Sequence, residues 1–243
     1  MKTLNLILAE SALEIVPSSI RGHPSIIRYS KKTGKSPSRT LLDRSYHHPA
    51  MRFIRKAWKR GRPDIVHFCL LEALDSPLNR EGLLRVYVHT VGDHLIYIAS
   101  ETRLPRNYLR FVGLMEQLFE LGRVPPKGKR LLELKRGSLD RLIDEINPSY
   151  VVAFSRSGKP STLRNVMSKI SSSECPAVII GAFPAGSFED STLKLADDVI
   201  SIDPETLNAW TVTSRVIYEY EVSVGLPEKR VRHAGSVSSA SQK

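Results

Sequence analysis

The stretch CPAVIIGAFPAGSF (residues 175–188), continued by EDSTLKLA (189–196), DDVISIDPETLNAW (197–210) and an apolar-periodic run to Tyr220, decides how this chain is read. It predicts a strand, a glycine-rich loop, a short helix, a strand, a second loop and a final helix. Ala177–Ile180 is a continuous apolar run, the pattern of a strand buried on both faces, and Val199–Ile202 is a second. Small and carbonyl-bearing residues follow each: Gly181, Ala182, Ala185 and Gly186 in the first loop, then Ser201, Asp203, Thr206, Asn208 and Ala209 in the second. Open parallel sheets bind ligands at the C-terminal ends of their strands. Two such loops side by side suit a flat, mostly apolar cofactor held by backbone hydrogen bonds. Gly181 and Gly186 equally suit a plain tight turn, since glycine marks conformation before function.

Just upstream, Ser138 is placed to cap a helix in SLDRLIDEI, and Tyr150–Ser155 reads as another buried strand. SRSGKP (155–160) reads as a turn, and Thr162–Ile170 as a helix. Strands alternating with helices predict an α/β fold with a mostly parallel sheet flanked by helices. Trp210, Thr213, Ile217 and Tyr220 fall at helical spacing in the last helix, where Trp210 reads as a core or subunit-interface residue. The serine-rich, basic residues 227–243 read as a flexible tail.

The first half is less regular. Leu4–Glu10 alternates as a first strand, Val86–His89 and Leu95–Ala99 form a close pair, and Arg21–Arg44 reads as a long loop ordered only on binding. His47–Trp58 is expected as a basic amphipathic helix with Met51, Ile54 and Trp58 on one side; His47 and His48 either touch a ligand or end a loop. Asp64 follows Pro63 as an N-cap candidate for a helix burying Ile65, Phe68, Cys69 and Leu71. A further helix is expected over Pro105–Leu121, stopped by Gly122. Arg106 and Arg110 then share a face, Arg103 reaches the same side, and Phe111, Leu114, Met115, Leu118 and Phe119 face the core.

Charge divides the chain. Residues 21–60 hold 12 Lys/Arg and one acidic residue, whereas residues 137–226 hold seven basic and 12 acidic residues. A basic surface on one side of a protein with net charge +11 is the footprint of a polyanion, or else a solvated face. No GxGxxG, Walker loop or GxSxG occurs, and the seven histidines lack zinc spacing, so no metal site is expected. The two cysteines sit in apolar patterns and suggest no disulfide framework. LNLILAE near the start lacks the features of a signal peptide. No apolar run approaches the roughly 18 residues needed to cross a bilayer. The expectation is a soluble, cytoplasmic protein.

RPDIVHFCLLEALDSPLN (62–79), VHT (88–90), RLPRNYLRFVGLMEQLF (103–119), FSRSGKP (154–160), IIGAFPAGSF (179–188) and ISIDPETLNAW (200–210) together resemble the archaeal and eukaryotic Nep/Emg family. These are ribosome-biogenesis, pseudouridine N1-specific methyltransferases of the SPOUT class, and the resemblance runs from Leu4 to about Gly225. It implies a SPOUT-type sheet with a C-terminal trefoil knot and a homodimer. Together with the charge division, the expectation is a single methyltransferase domain over 1–226 with a basic RNA-binding insertion around 21–60, a segment whose residues near 21–40 the family motifs do not anchor. The resemblance implies S-adenosylmethionine held by Phe154, Gly181, Ala182, Phe183, Gly186, Ser201, Ile202, Asp203, Pro204, Glu205, Thr206, Leu207 and Ala209, with Ser155 nearby and SRSGKP as a turn near the cofactor and the subunit interface. It matches RNA-contacting arginines to Arg62, Arg103, Arg106 and Arg110 and a neighbouring aspartate to Asp64. We read Arg62 and Asp64 as the catalytic pair, with Asp64 as orienter of Arg62, proton acceptor or, from the sequence, helix cap. The implied partners are small-subunit ribosomal RNA, with a pseudouridine in a loop, and ribosomal proteins. A non-catalytic assembly factor on ribosomal RNA and a SPOUT enzyme acting on tRNA stand as alternatives.

Overall fold

Leu4–Ser11 (β1) has no exposed residue, and this places it at the centre of the sheet. The structure, a computed structural model, describes residues 1–232. After β1 come helices α1 (Pro24–Thr33), α2 (Arg44–Met51), α3 (Pro63–Asp75) and α4 (Pro77–Arg80), then strands β2 (Leu84–Thr90) and β3 (His94–Ile98). Helix α5 (Tyr108–Leu121) leads to β4 (Arg123–Val124) and β5 (Leu132–Arg136), then α6 (Leu139–Ile146), β6 (Tyr150–Pro160) and α7 (Leu163–Ser172). The chain continues through β7 (Pro176–Gly181), α8 (Asp190–Leu193), β8 (Asp198–Ser201) and α9 (Ala209–Ser223). The strands form one sheet in the order β4-β5-β3-β2-β1-β7-β6-β8. Pairing is parallel from β2 through β1, β7 and β6 to β8, and antiparallel among β2, β3, β5 and β4.

The period of two sorts the central strands between two cores. Leu4, Leu6, Leu8, Val152, Phe154, Val178 and Ile180 face one side, with Val66, Phe111, Met167 and Tyr220 from α3, α5, α7 and α9. Ile7, Ala9, Val151, Ala153, Ala177 and Ile179 face the other, with Leu139 and Leu142 from α6. The alternation expected of Leu4–Glu10 is therefore corrected: both faces are covered, and even Asn5 is buried, its amide donating to the Pro176 carbonyl at 3.0 Å.

Three further expectations are corrected. Arg21–Arg44 is not a loop. It contains α1, capped by the His23 ring and closed by Gly34 in the left-handed conformation, and a 3-10 turn at Pro37–Arg39. Val16, Ile20, Ile26, Leu42, Ala50 and Met51 form a small core of their own; these residues lack helical spacing because several come from turns. The helix expected over His47–Trp58 is α2, which begins at an Asp43 cap and ends at Met51. Lys56 then takes a left-handed φ of 53° and Ala57–Lys59 forms a 3-10 turn, which leaves Met51 buried but Trp58 exposed. His47 is buried, its Nδ1 accepting from the Asp43 amide at 3.0 Å, so it ends no loop.

The third concerns SRSGKP, which belongs to β6. Phe154 and Lys159 both pair with Ile200 of β8, and Pro160 pairs with Ser201. A strand has only two hydrogen-bonding edges, so residues 155–158 pass around β8 from one edge to the other. Gly158 makes that passage possible: a Cβ there would lie 2.6 Å from the Ile200 backbone. Of the tail expected over 227–243, residues 226–232 are helical, Leu226 is buried and Arg230 pairs with Glu81 at 2.6 Å; the rest lies outside the described residues.

Candidate cofactor and RNA site

The parallel strands β6, β7 and β8 end together, and their following loops enclose a cleft of about 660 Å³. Phe154, Gly181, Phe183, Gly186, Ser201, Ile202, Asp203, Glu205, Thr206, Leu207 and Ala209 line it. Two residues expected there do not. Ala182 is buried beneath the loop, where its amide donates to Ala9 and its carbonyl accepts from Ala12. Pro204 is exposed and stands outside the cleft lining. The second loop is shaped by its own polar groups: the Ser201 hydroxyl donates to the Asp203 carbonyl at 2.9 Å, and the Glu205 amide donates to the Asp203 carboxylate at 2.9 Å.

Arg156 and Ser157 also line the cleft, where SRSGKP is expected to run near the cofactor, but they reach it through the passage around β8 and not from a turn. The cleft residue that the sequence does not announce is Trp210. Trp210 lines the cleft and packs on Phe68 of α3, with ring centroids 5.4 Å apart. Its helical spacing was the same signal that suggested a core residue, so spacing alone could not separate the roles.

Arg62 brings α3 to this cleft, which it lines together with Ile65. Arg62 is the N-cap residue of α3, Pro63 fills the first helical position, and Asp64 follows without capping. The Asp64 carboxylate instead receives a forked pair of bonds from Arg62, Nε to Oδ1 at 2.8 Å and Nη2 to Oδ2 at 2.7 Å. That bond raises the Arg62 pKa further above its ordinary value and fixes the plane of the guanidinium, leaving its remaining N–H groups for another acceptor. Behind the pair, Tyr108 donates to Asp43 at 2.6 Å, and burial, with that bond, pushes its phenol pKa up. His67 stacks on Phe111 at 4.2 Å and donates from Nε2 to the Pro105 carbonyl at 2.8 Å; burial lowers its pKa, which favours the neutral ring.

The other arginines are placed differently from expectation. The Asn107 side chain accepts from the Arg110 amide at 3.1 Å and starts α5 at Tyr108, so Pro105 and Arg106 precede the helix. Arg106 and Arg110 therefore do not share a helical face. Arg103 and Arg106 line a second concavity of about 1000 Å³ along α3, with Leu71, Asp75 and Arg80. Arg110 is exposed on the first turn of α5. The four arginines thus do not form one helical row, and of the four only Arg62 lines the cofactor-type cleft.

Comparison with known proteins now adds to the geometry. Residues 6–221 match the family described as EMG1/NEP1 methyltransferase. The chain belongs to this family. It is 46% identical over 223 residues to the ribosomal RNA small subunit methyltransferase Nep1 of Thermococcus kodakarensis, covering 92% of this chain and 100% of that one. It is 47% identical to the Nep1 of Pyrococcus furiosus over 92% of this chain and 98% of the relative. The crystal structure of Archaeoglobus fulgidus Nep1 bound to S-adenosylhomocysteine superposes with a TM-score of 0.82 at 40% identity, covering 93% of this chain and 100% of that one. Among the described residues no cluster of His, Cys, Asp or Glu is placed to hold a metal ion, and no helix is long and apolar enough to cross a membrane.

Proposed function

We propose that this protein methylates small-subunit ribosomal RNA with S-adenosylmethionine, at N1 of a pseudouridine in an RNA loop, and serves small-subunit biogenesis through that reaction. The observation that carries the reading is the position of Arg62, a guanidinium oriented by Asp64 on the wall of the same cleft that the two strand-end loops enclose. The cleft fits the cofactor. Its size lies within the range of small-molecule sites. Phe154, Ile180 and Ile200 offer apolar surface for a flat base, and the carboxylates of Asp203 and Glu205 offer a favourable field for a cationic group. When bound, S-adenosylmethionine supplies an electrophilic methyl group on a sulfonium.

The rest is the work of the chain. Pseudouridine, unlike uridine, exposes N1–H on its base, and an unpaired base in a loop can be unstacked and presented. In this reading Arg62 holds the target nucleotide's phosphate or carbonyl oxygen beside the cleft, and Asp64 acts through Arg62 as a positioning residue. Arg103, Arg106 and Arg110 hold the RNA backbone. Residues 1–226 then form one methyltransferase domain whose basic segment 21–60 is an RNA-contacting insertion. The double pairing of Ile200 supports a trefoil-knotted chain. Phe68, packed on Trp210, and Tyr218 and Val222, one turn apart further along α9, are exposed apolar residues that support a two-fold partner across α9. A ribosomal RNA substrate and archaeal relatives support a cytoplasmic location.

Methyl transfer from labelled S-adenosylmethionine to two hairpins, identical except for uridine or pseudouridine in the loop, tests the reading. Label on the pseudouridine hairpin alone is expected. No label on either, with RNA and cofactor both bound, would favour a non-catalytic assembly factor. Equal label on both would remove pseudouridine specificity, and transfer to tRNA in preference to the hairpins would move the substrate to another RNA class.

A further inference from the structure

Trp58 stands at the rim of the cleft, and nothing in the site described so far uses it. Its indole edge lies against Gly186, where a Cβ would come within 3.2 Å of Nε1. Gly186 lines the cleft and has a φ of 92°, a conformation that suits glycine. Yet 54% of Trp58 is exposed. A large flat ring therefore stands half in solvent against the loop that lines the cleft.

The fold holds it there. Successive residues of a 3-10 turn point about 120° apart, so in Ala57–Lys59 the outward turn of Trp58 accompanies the inward turn of Lys59. Lys59 is 3% exposed; it pairs with buried Glu10 and, at 3.2 Å, with Glu189, and it lies 4.4 Å over the Phe183 ring. Glu10 in turn accepts from the Glu189 amide at 2.8 Å. The residue next to Trp58 is thus fastened to both ends of the cleft loop. The segment that carries it has 12 basic residues against one acidic residue over 21–60. An exposed aromatic ring fixed in a basic surface is the arrangement on which unpaired bases stack, whatever their sequence.

We propose that Trp58 is a stacking contact for an unpaired base flanking the target nucleotide. The inference rests on the RNA-methyltransferase reading above. The test measures binding of the pseudouridine hairpin to the full chain and to Trp58→Ala and Trp58→Phe variants, with S-adenosylhomocysteine affinity measured in parallel. Trp58→Ala is expected to weaken hairpin binding about tenfold or more, and Trp58→Phe to fall between. The salt slope should stay unchanged because no phosphate contact is lost, and cofactor affinity should stay within about twofold if stacking is the role. Hairpin addition should quench the indole fluorescence of the wild-type protein, which has two tryptophans, more than that of Trp58→Phe; this reads the native ring even if the alanine variant folds poorly. Hairpin binding unchanged in Trp58→Ala, or a loss of cofactor affinity alone, would overturn the stacking role and leave Trp58 as a prop for the loop. A wild-type protein that binds no hairpin would overturn the RNA reading itself, a result distinguishable from the first.

Discussion

Residues 138–223 and residues 12–61 are ordered by different forces. In the first region the buried residues of β6 and β7 alternate between two cores, and the helices between them bury regular stripes. In the second, a small core gathers residues from helix, turn and extended chain without a period. What fixes that region is a set of buried polar anchors to distant elements. Glu10 holds Lys59, Glu14 holds Arg60, Asp43 receives Tyr108 of α5, and Glu116 of α5 receives the Leu41 amide at 3.1 Å. A strand in a sheet is legible because its own neighbours determine its pattern. An anchor across dozens of residues leaves no local trace, so a folded segment of this kind reads as a loop.

The largest test of this contrast is Lys59→Ala. Removing one partner of a buried pair strands the charge of Glu10, and the expected cost is about 3–5 kcal/mol in urea unfolding. The double substitution Glu10→Gln with Lys59→Met should recover much of it, since no charge is then left buried. A cost below about 1 kcal/mol would mean that the small apolar core alone orders the segment. A second test uses pH. Burial lowers the pKa of His47, His67 and His94 from the ordinary 6.5. The unfolded chain therefore takes up protons before the folded one does. Stability is fully present above about pH 6.5 and falls as pH drops below it. Urea midpoints at falling pH should show this, and His47→Gln should flatten the slope, because protonating His47 also breaks its bond from the Asp43 amide.

The same contrast explains what could be read in advance. Ala177–Ile180 and Tyr150–Ser155 gave the parallel sheet, and the small residues after them gave the cleft that now contains Phe154, Gly181, Asp203 and Ala209. The passage of Ser155–Gly158 around β8 could not be read, because pairing both edges of Ile200 is a property of topology and not of period. Pro105 suits a first turn and predicts Arg106 on the helix, but Asn107 is the stronger cap, and its side-chain bond from the Arg110 amide sets the start. The spacing of Trp58 from Met51 and Ile54 predicts one apolar helical face, but α2 ends at Met51 and the left-handed Lys56 lies before Trp58.

Smaller effects sharpen the comparison. Ile179→Val, which trims a fully buried side chain between β1 and β6, should cost about 0.5–1.5 kcal/mol and leave RNA affinity unchanged. The smallest expected effect on stability is that of Asp64→Asn. Asp64 does not cap α3, and its pair with Arg62 is partly solvated, with side chains 27% and 37% exposed. Partly exposed pairs contribute little, so unfolding should move by less than about 1 kcal/mol. Function should move far more. Asparagine keeps the side chain's shape but presents only one oxygen to the guanidinium fork, so Arg62 loses the contact that sets its plane. If Asp64 acts through Arg62, methyl transfer to the pseudouridine hairpin should fall sharply and RNA affinity should weaken as in Arg62→Ala. The double substitution should be no worse than Arg62→Ala alone. If instead Asp64 accepts the N1 proton itself, Asp64→Asn should abolish turnover with RNA affinity intact, and raising the pH of the assay should restore part of the rate as solvent takes the proton.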